Sequence, residues 1–199
     1  MQGKNHVGLA LAVPLALALA GIPEAIPGTF WGWGALIVGS LAPDIDGGGA
    51  IARPSKFIPD IIPKWLARAI DKIGLKISKV IRAIFGHRGG LHWPLWAGLM
   101  IWAGGHYDLS LLLWLGVGYG LHILGDIITV AGVPLLGPLT SKKFSVFPMR
   151  VGGRLESVLA VVIWLFVVIR GGFIGLAGAG AIDQGLAMVE RLKYLLAVQ

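Results

Sequence analysis

The chain has 199 residues, of which 56 % are hydrophobic and only 14 % are charged. A soluble domain carries about 25 % charged residues, so this chain has too little polar surface to coat a water-soluble globule. It contains no cysteine, which excludes disulfides and thiolate metal sites. The formal net charge is +7, and residues 53–88 account for it with nine Lys or Arg against two Asp. This stretch lies between apolar segments, so we expect it to contact anionic lipid headgroups. We do not expect a nucleic-acid partner, because the sequence contains no recognition motif for one.

Five apolar runs predict an all-α, polytopic membrane protein with about four to five transmembrane helices. They are residues 7–22, 30–42, 93–104, 109–130 and 155–169. The second and third are shorter than the roughly 20 residues of an upright span, so they are either thin, partly re-entrant or extended by their neighbours. The first run resembles a signal peptide, but residues 21–27 lack a clean small-x-small cleavage site, and we expect it to be retained.

We expect residues 1–199 to form a single membrane domain. Within it, residues 53–88 form a basic cytoplasmic insert, and the tail 171–199 begins Gly-rich and ends in a possible amphipathic helix that lies either on or in the membrane. Lys and Arg are absent from loops 21–29 and 105–108, whereas loop 43–92 carries nine and loop 131–154 carries four. The positive-inside rule therefore places the N-terminus and the basic loops in the cytoplasm.

Residues 61–85 carry a basic stripe and an apolar stripe, both at helical spacing. The basic stripe is Lys64, Arg68, Lys72, Lys76 and Lys79, and the apolar stripe includes Ile62, Trp65, Ala69, Ile73, Ile77, Val80 and Ile84. This pattern predicts an amphipathic helix lying flat in the headgroup region. The helix is either an anchor, which we favour because such anchors are common, or a surface that recruits an anionic lipid substrate.

Most histidines and several carboxylates fall at one depth on the cytoplasmic side of this topology. His106 is on the opposite side, where we expect a polar loop residue. The candidate metal ligands are His6, Asp44, Asp46, His87, His92, His122 and Asp126. His122 and Asp126 are four residues apart and share one helix face, which must point into the bundle because an ionisable pair facing lipid is costly. In an extended stretch, Asp44 and Asp46 would both point the same way.

Imidazole and carboxylate together favour Zn²⁺, with Mn²⁺ or Fe²⁺ as alternatives. Seven candidate ligands exceed the three or four of one catalytic zinc, so either one or two ions are expected, and a pair would hold a hydroxide against a phosphate or ester oxygen. Arg88 is placed to bind an anionic substrate group. Glu156 is a candidate ligand, general base or ion-pair partner of Arg150 or Arg154.

Each residue also has a simpler interpretation. His6 could be a cap or interfacial residue, the Pro-Asp-x-Asp-Gly stretch a turn, and His122 with Asp126 a hydrogen-bonded pair that joins two helices. The joint metal site is favoured because these interpretations must otherwise explain why seven potential ligands converge at one depth.

The same motifs resemble the YdjM-type family of bacterial inner-membrane proteins, which are LexA-regulated and regarded as metal-dependent hydrolases. The resemblance covers roughly residues 6–156. It rests on His6, on Leu41 to Asp46 (Leu-Ala-Pro-Asp-Ile-Asp), on His87 to Trp93 (His-Arg-Gly-Gly-Leu-His-Trp), on Gly118 to Asp126 and Thr129, and on Pro138-Leu139. Leu91 and Trp93 replace a Thr and a Ser of the family pattern. The hydroxyl groups that could donate hydrogen bonds to the metal ligands are therefore missing at these positions, and metal orientation or activity is expected to differ. The resemblance implies a bacterial inner-membrane location and a metal-dependent hydrolase without naming a substrate.

The sequence therefore favours a membrane-embedded metal-dependent hydrolase at the cytoplasmic face, acting on an ester or phosphoester of a lipid-like or membrane-proximal substrate. The alternatives are a non-catalytic metal-binding or ion-conducting membrane protein, and a structural or partner-binding one. An ion conductor would need polar groups through the whole bundle, whereas the polar cluster lies at one end.

Overall fold

A computed structural model of the protein describes residues 1–47, 52–53, 63–86, 89–147 and 149–172. It contains the α-helices α1 (Gly3–Leu19), α2 (Phe30–Leu41), α3 (Lys64–Phe85), α4 (Pro94–His106), α5 (Ser110–Ile127) and α6 (Arg154–Gly172). Short 3₁₀ turns occur at Pro23–Ala25, Ala42–Gly47 and Gly90–His92. Over these ranges there is no strand, and two isolated bridges, Thr129–Met149 and Val133–Phe144, brace the segment between α5 and α6. The all-α prediction is confirmed.

Helix α5 is the centre of the bundle and packs against α1, α2 and α4. Its contact with α2 depends on two glycines. A Cβ at Gly39 would overlap the carbonyl oxygen of Leu115, and a Cβ at Gly118 would overlap that of Leu36. Small residues at a crossing let two helix backbones approach closely. The close approach brings the end of α2, and the turn that follows it, against the polar half of α5.

Two helices of the described chain, α5 and α6, are long and apolar enough to cross a membrane. Helix α1 is apolar but shorter, with 17 residues, and α2 and α4 have 12 and 13. The spanning window of α5 is 44 % buried inside the protein, whereas that of α6 is 6 % buried. Helix α6 therefore lies at the edge of the bundle, with many of its apolar side chains exposed. The total of four to five spans stays a prediction, and residues 173–199 of the tail lie outside the described residues.

Helix α3 forms where the basic and apolar stripes predict a helix, and the structure describes it from Lys64. It packs on the body of the protein through a third face: Ser78 is buried, and Gly74 lies against the carbonyl of Ala52. Among the described residues, the large side chains of the apolar stripe are not buried by this packing. These side chains stay 48–71 % exposed: Trp65, Ile73, Ile77, Val80 and Ile84. The helix thus presents separate basic and apolar faces to its surroundings.

Candidate metal centre

Four of the predicted ligands converge at the polar end of the bundle. They come from three elements: Asp44 from the 3₁₀ turn after α2, His92 from the end of the Gly90–His92 turn, and His122 and Asp126 from α5. One ligand atom of each lies within 4.8 Å of one ligand atom of every other. The side chains of His92, His122 and Asp126 are fully buried, and that of Asp44 is 23 % exposed. The group could hold a metal ion.

The spacing between these atoms suits a shared ion better than direct hydrogen bonds. Nε2 of His92 lies 3.8 Å from Oδ1 of Asp44 and 3.7 Å from Oδ2 of Asp126. Nε2 of His122 lies 3.7 Å and 3.8 Å from the same two oxygens. These separations are too long for hydrogen bonds. Two ligands of a tetrahedral ion, each about 2.0–2.2 Å from it, lie roughly 3.3–3.6 Å apart.

The imidazole nitrogens support the same conclusion. In the described part of the chain, three ring nitrogens have no hydrogen-bond partner: Nδ1 and Nε2 of His92, and Nε2 of His122. A buried polar atom left without a partner costs about 1–3 kcal/mol. Neutral imidazole nitrogens and carboxylate oxygens are ligands for Zn²⁺, Mn²⁺ or Fe²⁺. The residues present therefore fit a divalent ion of this class.

A main-chain carbonyl orients His122. Its Nδ1 lies 2.7 Å from the carbonyl oxygen of Ser40 in α2. Because a carbonyl only accepts, Nδ1 carries the hydrogen and the lone pair of Nε2 points into the group. Such a bond to the far nitrogen is usual for a metal-binding histidine. It exists because Gly118, one turn before His122, lets α2 come close: its Cβ would also meet the amide nitrogen of Ser40.

Two hydrogen bonds to carbonyls hold the turn that carries His92. The hydroxyl of Tyr119, from α5, donates to the carbonyl oxygen of Leu91. The indole Nε1 of Trp96 donates to the carbonyl oxygen of Gly90 at 2.8 Å. Neither residue is predicted from the sequence as part of the site, although Tyr119 lies in the Gly-Tyr motif. Both fix the position of His92 through the backbone that precedes it.

His6 lies beside the group of four, and a ligand role for it stays a prediction. Its ring stacks on that of His122 with centroids 3.8 Å apart, and its Nε2 lies 3.3 Å from Oδ1 of Asp126. The amino group of Met1 contacts the same oxygen. Asp126 therefore directs Oδ2 toward the group and Oδ1 toward the start of α1. The ring fits there because Gly125 has no side chain: a Cβ would lie 3.0 Å from Nδ1 of His6.

The Asp44–Asp46 segment corrects one expectation. An extended stretch would point both carboxylates the same way, but Ala42–Gly47 is a 3₁₀ turn, in which residues two apart point in different directions. Asp44 joins the group of four, whereas Asp46 is buried at 1 % exposure and is not a member of that group. A ligand role for Asp46 stays a prediction. His87 and Arg88 lie outside the described residues.

The surroundings of Asp44 keep it anionic. Its burial alone would raise the pKa of the carboxyl, but the imidazoles of His92, His122 and His6 outweigh burial and hold that pKa below its ordinary value. Asp44 is therefore a carboxylate at neutral pH, which is the form that binds a cation.

Glu156 has a different set of partners. One carboxylate oxygen accepts hydrogen bonds from the amide of Gln2 at 2.7 Å and from Nδ2 of Asn5 at 2.8 Å. The other accepts from the amide of Gly152 at 2.6 Å. These bonds join the first turn of α1 to the first turn of α6. The sequence does not reveal them, because they depend on how the two helices pack. A role for Glu156 in proton transfer stays a prediction.

Leu91 and Trp93, which flank His92, are both half-buried. A Cβ on Gly137 would overlap the indole of Trp93, and the Trp93 ring also stacks on Trp96. Trp93 therefore packs on the segment between α5 and α6 rather than supplying a donor to the metal ligands.

Comparison with known proteins agrees with the resemblance seen in the motifs. The family model described as YdjM inner membrane protein matches residues 1–189. Inner membrane protein YdjM of Escherichia coli strain K12 is 31 % identical over 140 residues, as is the protein of the same name from Shigella flexneri. Each match covers 66 % of this chain and 62 % of the relative, so the matched region spans less than two thirds of their length. No solved structure matches the chain.

Proposed function

Because this chain belongs to the YdjM inner membrane protein family, we propose that it is a metal-dependent hydrolase embedded in the bacterial inner membrane. The observation that supports this best is the group of two imidazoles and two carboxylates, three of them fully buried, with ligand atoms within 4.8 Å of one another. Ionisable groups are expensive within a membrane protein and are retained where they serve a function.

A bound divalent ion would lower the pKa of a bound water and polarise an ester or phosphoester oxygen. His92, His122, Asp44 and Asp126 would hold it, with Zn²⁺ favoured and Mn²⁺ or Fe²⁺ as alternatives. The partial exposure of Asp44 marks the side from which water and substrate would enter. His6 and Asp46 are candidates for a second ion, and His6 is well placed because it contacts the outer oxygen of Asp126. Arg88 and Glu156 are the proposed anion-binding and proton-transfer residues.

The proposed topology has four to five spans, with the N-terminus and the metal centre facing the cytoplasm. Support comes from the charge of the loops: the two loops on one side carry no Lys or Arg, and the two on the other carry thirteen of the chain's 17. Helices α5 and α6 supply two of the spans.

We further propose that α3 lies in the headgroup layer, with its basic side chains on anionic lipids. The support is that its packing face, basic face and apolar face are distinct. Since Gly74 and Ser78 contact the protein, the exposed Trp65, Ile73 and Ile77 have no core to enter. A membrane surface accommodates both remaining faces at once.

The competing function is that of a non-catalytic metal-binding or structural protein. Asp126 contacts His6 and the amino group of Met1, and these contacts join α1 to α5. Their contribution to helix packing is the observation that favours a structural role. In this case metal either is absent or is bound without turnover.

The first test is metal content by mass spectrometry on detergent-purified protein. We compare the wild type with His122→Ala/Asp126→Asn. The matched control is His106→Ala/Asp108→Asn, because His106 stacks on Trp102 at the other end of the bundle. We expect near-stoichiometric Zn, Mn or Fe in the wild type and the control, and little in the first variant.

Metal-loaded protein is then screened against phosphoesters, carboxylic esters and lipids. Turnover that is lost in His122→Ala/Asp126→Asn and kept in the control supports the hydrolase. Well-folded wild type that takes up no metal after incubation with these ions refutes it. Stoichiometric metal without turnover on any substrate class favours the non-catalytic alternative.

A further inference from the structure

A cavity of about 460 Å³ lies between the first turn of α1 and the length of α6. It is separate from the group of four ligands and is lined by a different set of residues. Its volume is in the range of small-molecule and cofactor sites, roughly 300–1,000 Å³. The two ends of the cavity differ in chemistry, and that difference identifies a ligand.

One end of the cavity is apolar and runs along a single face of α6. Val161, Trp164, Leu165 and Val168 line it, at the three- and four-residue spacing of one helix face. From Ser157 to Val168 this face is about 16 Å long at 1.5 Å per residue. Because only 6 % of the spanning window of α6 is buried inside the protein, this groove opens toward the surroundings of the bundle, where the chains of membrane lipids would lie. Such a groove fits a single acyl chain.

The other end is polar and lies at the start of both helices. Gln2, Lys4, Asn5 and Ser157 line it. Lys4 is exposed, and over the described residues no ion pair to it is found. Within the described ranges, Glu156 is the only carboxylate in the lining, and its two oxygens already accept three N–H hydrogen bonds. Lys4 therefore leaves this end with a cation suited to a phosphate.

Asn5 adds a second recognition element. Its side chain is 2 % exposed, and Nδ2 donates to Glu156. Its Oδ1 has no hydrogen-bond partner among the described residues. A buried acceptor in this state favours a ligand that brings a donor, such as a headgroup hydroxyl. The cavity thus combines an apolar groove, a cation and a free acceptor, which are the elements that would recognise the acyl chain, the phosphate and a headgroup hydroxyl of a phospholipid.

We propose that this cavity binds one molecule of an anionic phospholipid with a hydroxyl-bearing headgroup. The acyl chain lies along α6, the phosphate lies at Lys4, and a headgroup hydroxyl donates to Oδ1 of Asn5. Binding of this lipid does not require that the protein be a hydrolase. If it is one, the site brings a lipid headgroup to the start of α1, the helix that also carries His6.

The test is native mass spectrometry of delipidated full-length protein, titrated with dioleoyl phosphatidylglycerol in the presence of EDTA so that turnover cannot consume the lipid. Val161→Trp fills the groove. Val162→Trp is the matched control, because both valines are 59 % exposed but only Val161 lines the cavity. We expect the first lipid to bind about tenfold more weakly to Val161→Trp, which corresponds to about two methylene groups losing their contacts. The control should bind like the wild type.

A second comparison tests the polar end. Lys4→Gln should weaken the binding of phosphatidylglycerol. It should leave the binding of dioleoylglycerol unchanged, because that lipid has no phosphate. Equal lipid binding by Val161→Trp and Val162→Trp would overturn the proposal and identify the lipid as annular. Equal loss of both lipids in Lys4→Gln would overturn the assignment of the phosphate. Metal content measured on the same protein preparations before EDTA is added should be equal in the wild type and the variants, which separates this result from the fate of the metal centre.

Discussion

Replacing Gly118 by alanine tests whether the crossing of α2 and α5 builds the metal centre. A Cβ at this position overlaps the carbonyl oxygen of Leu36 and the amide nitrogen of Ser40, so one backbone must move. Overpacking of this kind costs about 1–3 kcal/mol. The movement also carries the carbonyl of Ser40 away from Nδ1 of His122, now 2.7 Å distant. Loss of such an orienting bond weakens metal binding by about 10–100-fold.

Gly120→Ala is the matched control on the same helix. Its Cβ would lie 3.7 Å from the Cβ of Ala97, an ordinary contact. Both variants gain the same helix propensity, about 1 kcal/mol, so their difference isolates the crossing. We expect Gly118→Ala to unfold at a lower temperature in detergent and to bind metal more weakly in a titration against a chelator. If the two variants have equal stability and equal metal affinity, the close crossing does not position His122 and the reasoning is refuted.

Three further predictions address other contacts. Glu156→Gln replaces an acceptor oxygen by a donor facing an N–H group, so the free energy of unfolding should fall by about 1.5–3 kcal/mol; metal content should be unchanged, and its loss would make Glu156 a ligand. Tyr119→Phe should lower metal affinity about tenfold by releasing the turn before His92, whereas the exposed Tyr107→Phe should not; equal affinities would contradict this. Since the chain has no cysteine, spin labels at Ile73→Cys and Lys72→Cys in nanodiscs can report position by electron paramagnetic resonance. The first should be accessible to oxygen and the second to a water-soluble nickel complex, and equal accessibility to nickel would place α3 in water.

The sequence predicts the all-α architecture and the main members of the site because both follow from patterns along the chain. His122 and Asp126 share a helix face through their spacing alone, and the apolar context forces that face inward. Asp44 and His92 follow from the predicted topology, in which each lies next to the end of an apolar run on the same side as His122 and Asp126. Charge and periodicity likewise predict α3.

Other parts of the site depend on tertiary packing and could not be predicted. The 3₁₀ turn that separates Asp44 from Asp46 is a local choice that an extended interpretation of Pro-Asp-x-Asp missed. The partners of Glu156 require knowing that α1 and α6 begin side by side. The number of spans is harder still, because 12- and 13-residue helices such as α2 and α4 fall below the length at which composition alone identifies a span.

Both histidines of the group are held through peptide carbonyls: His122 by that of Ser40, and His92 through those of Gly90 and Leu91. A carbonyl belongs to every residue type, so no substitution at position 40, 90 or 91 deletes these acceptors. Ser40 is fully buried, so its side chain is still limited in size, whereas the half-buried side chain at position 91 can change provided that the path of the backbone is kept. Through this tolerance an apolar residue such as Leu91 can precede His92 without moving it. The vulnerable positions are those that shape the backbone path, and Gly118 is the foremost of them.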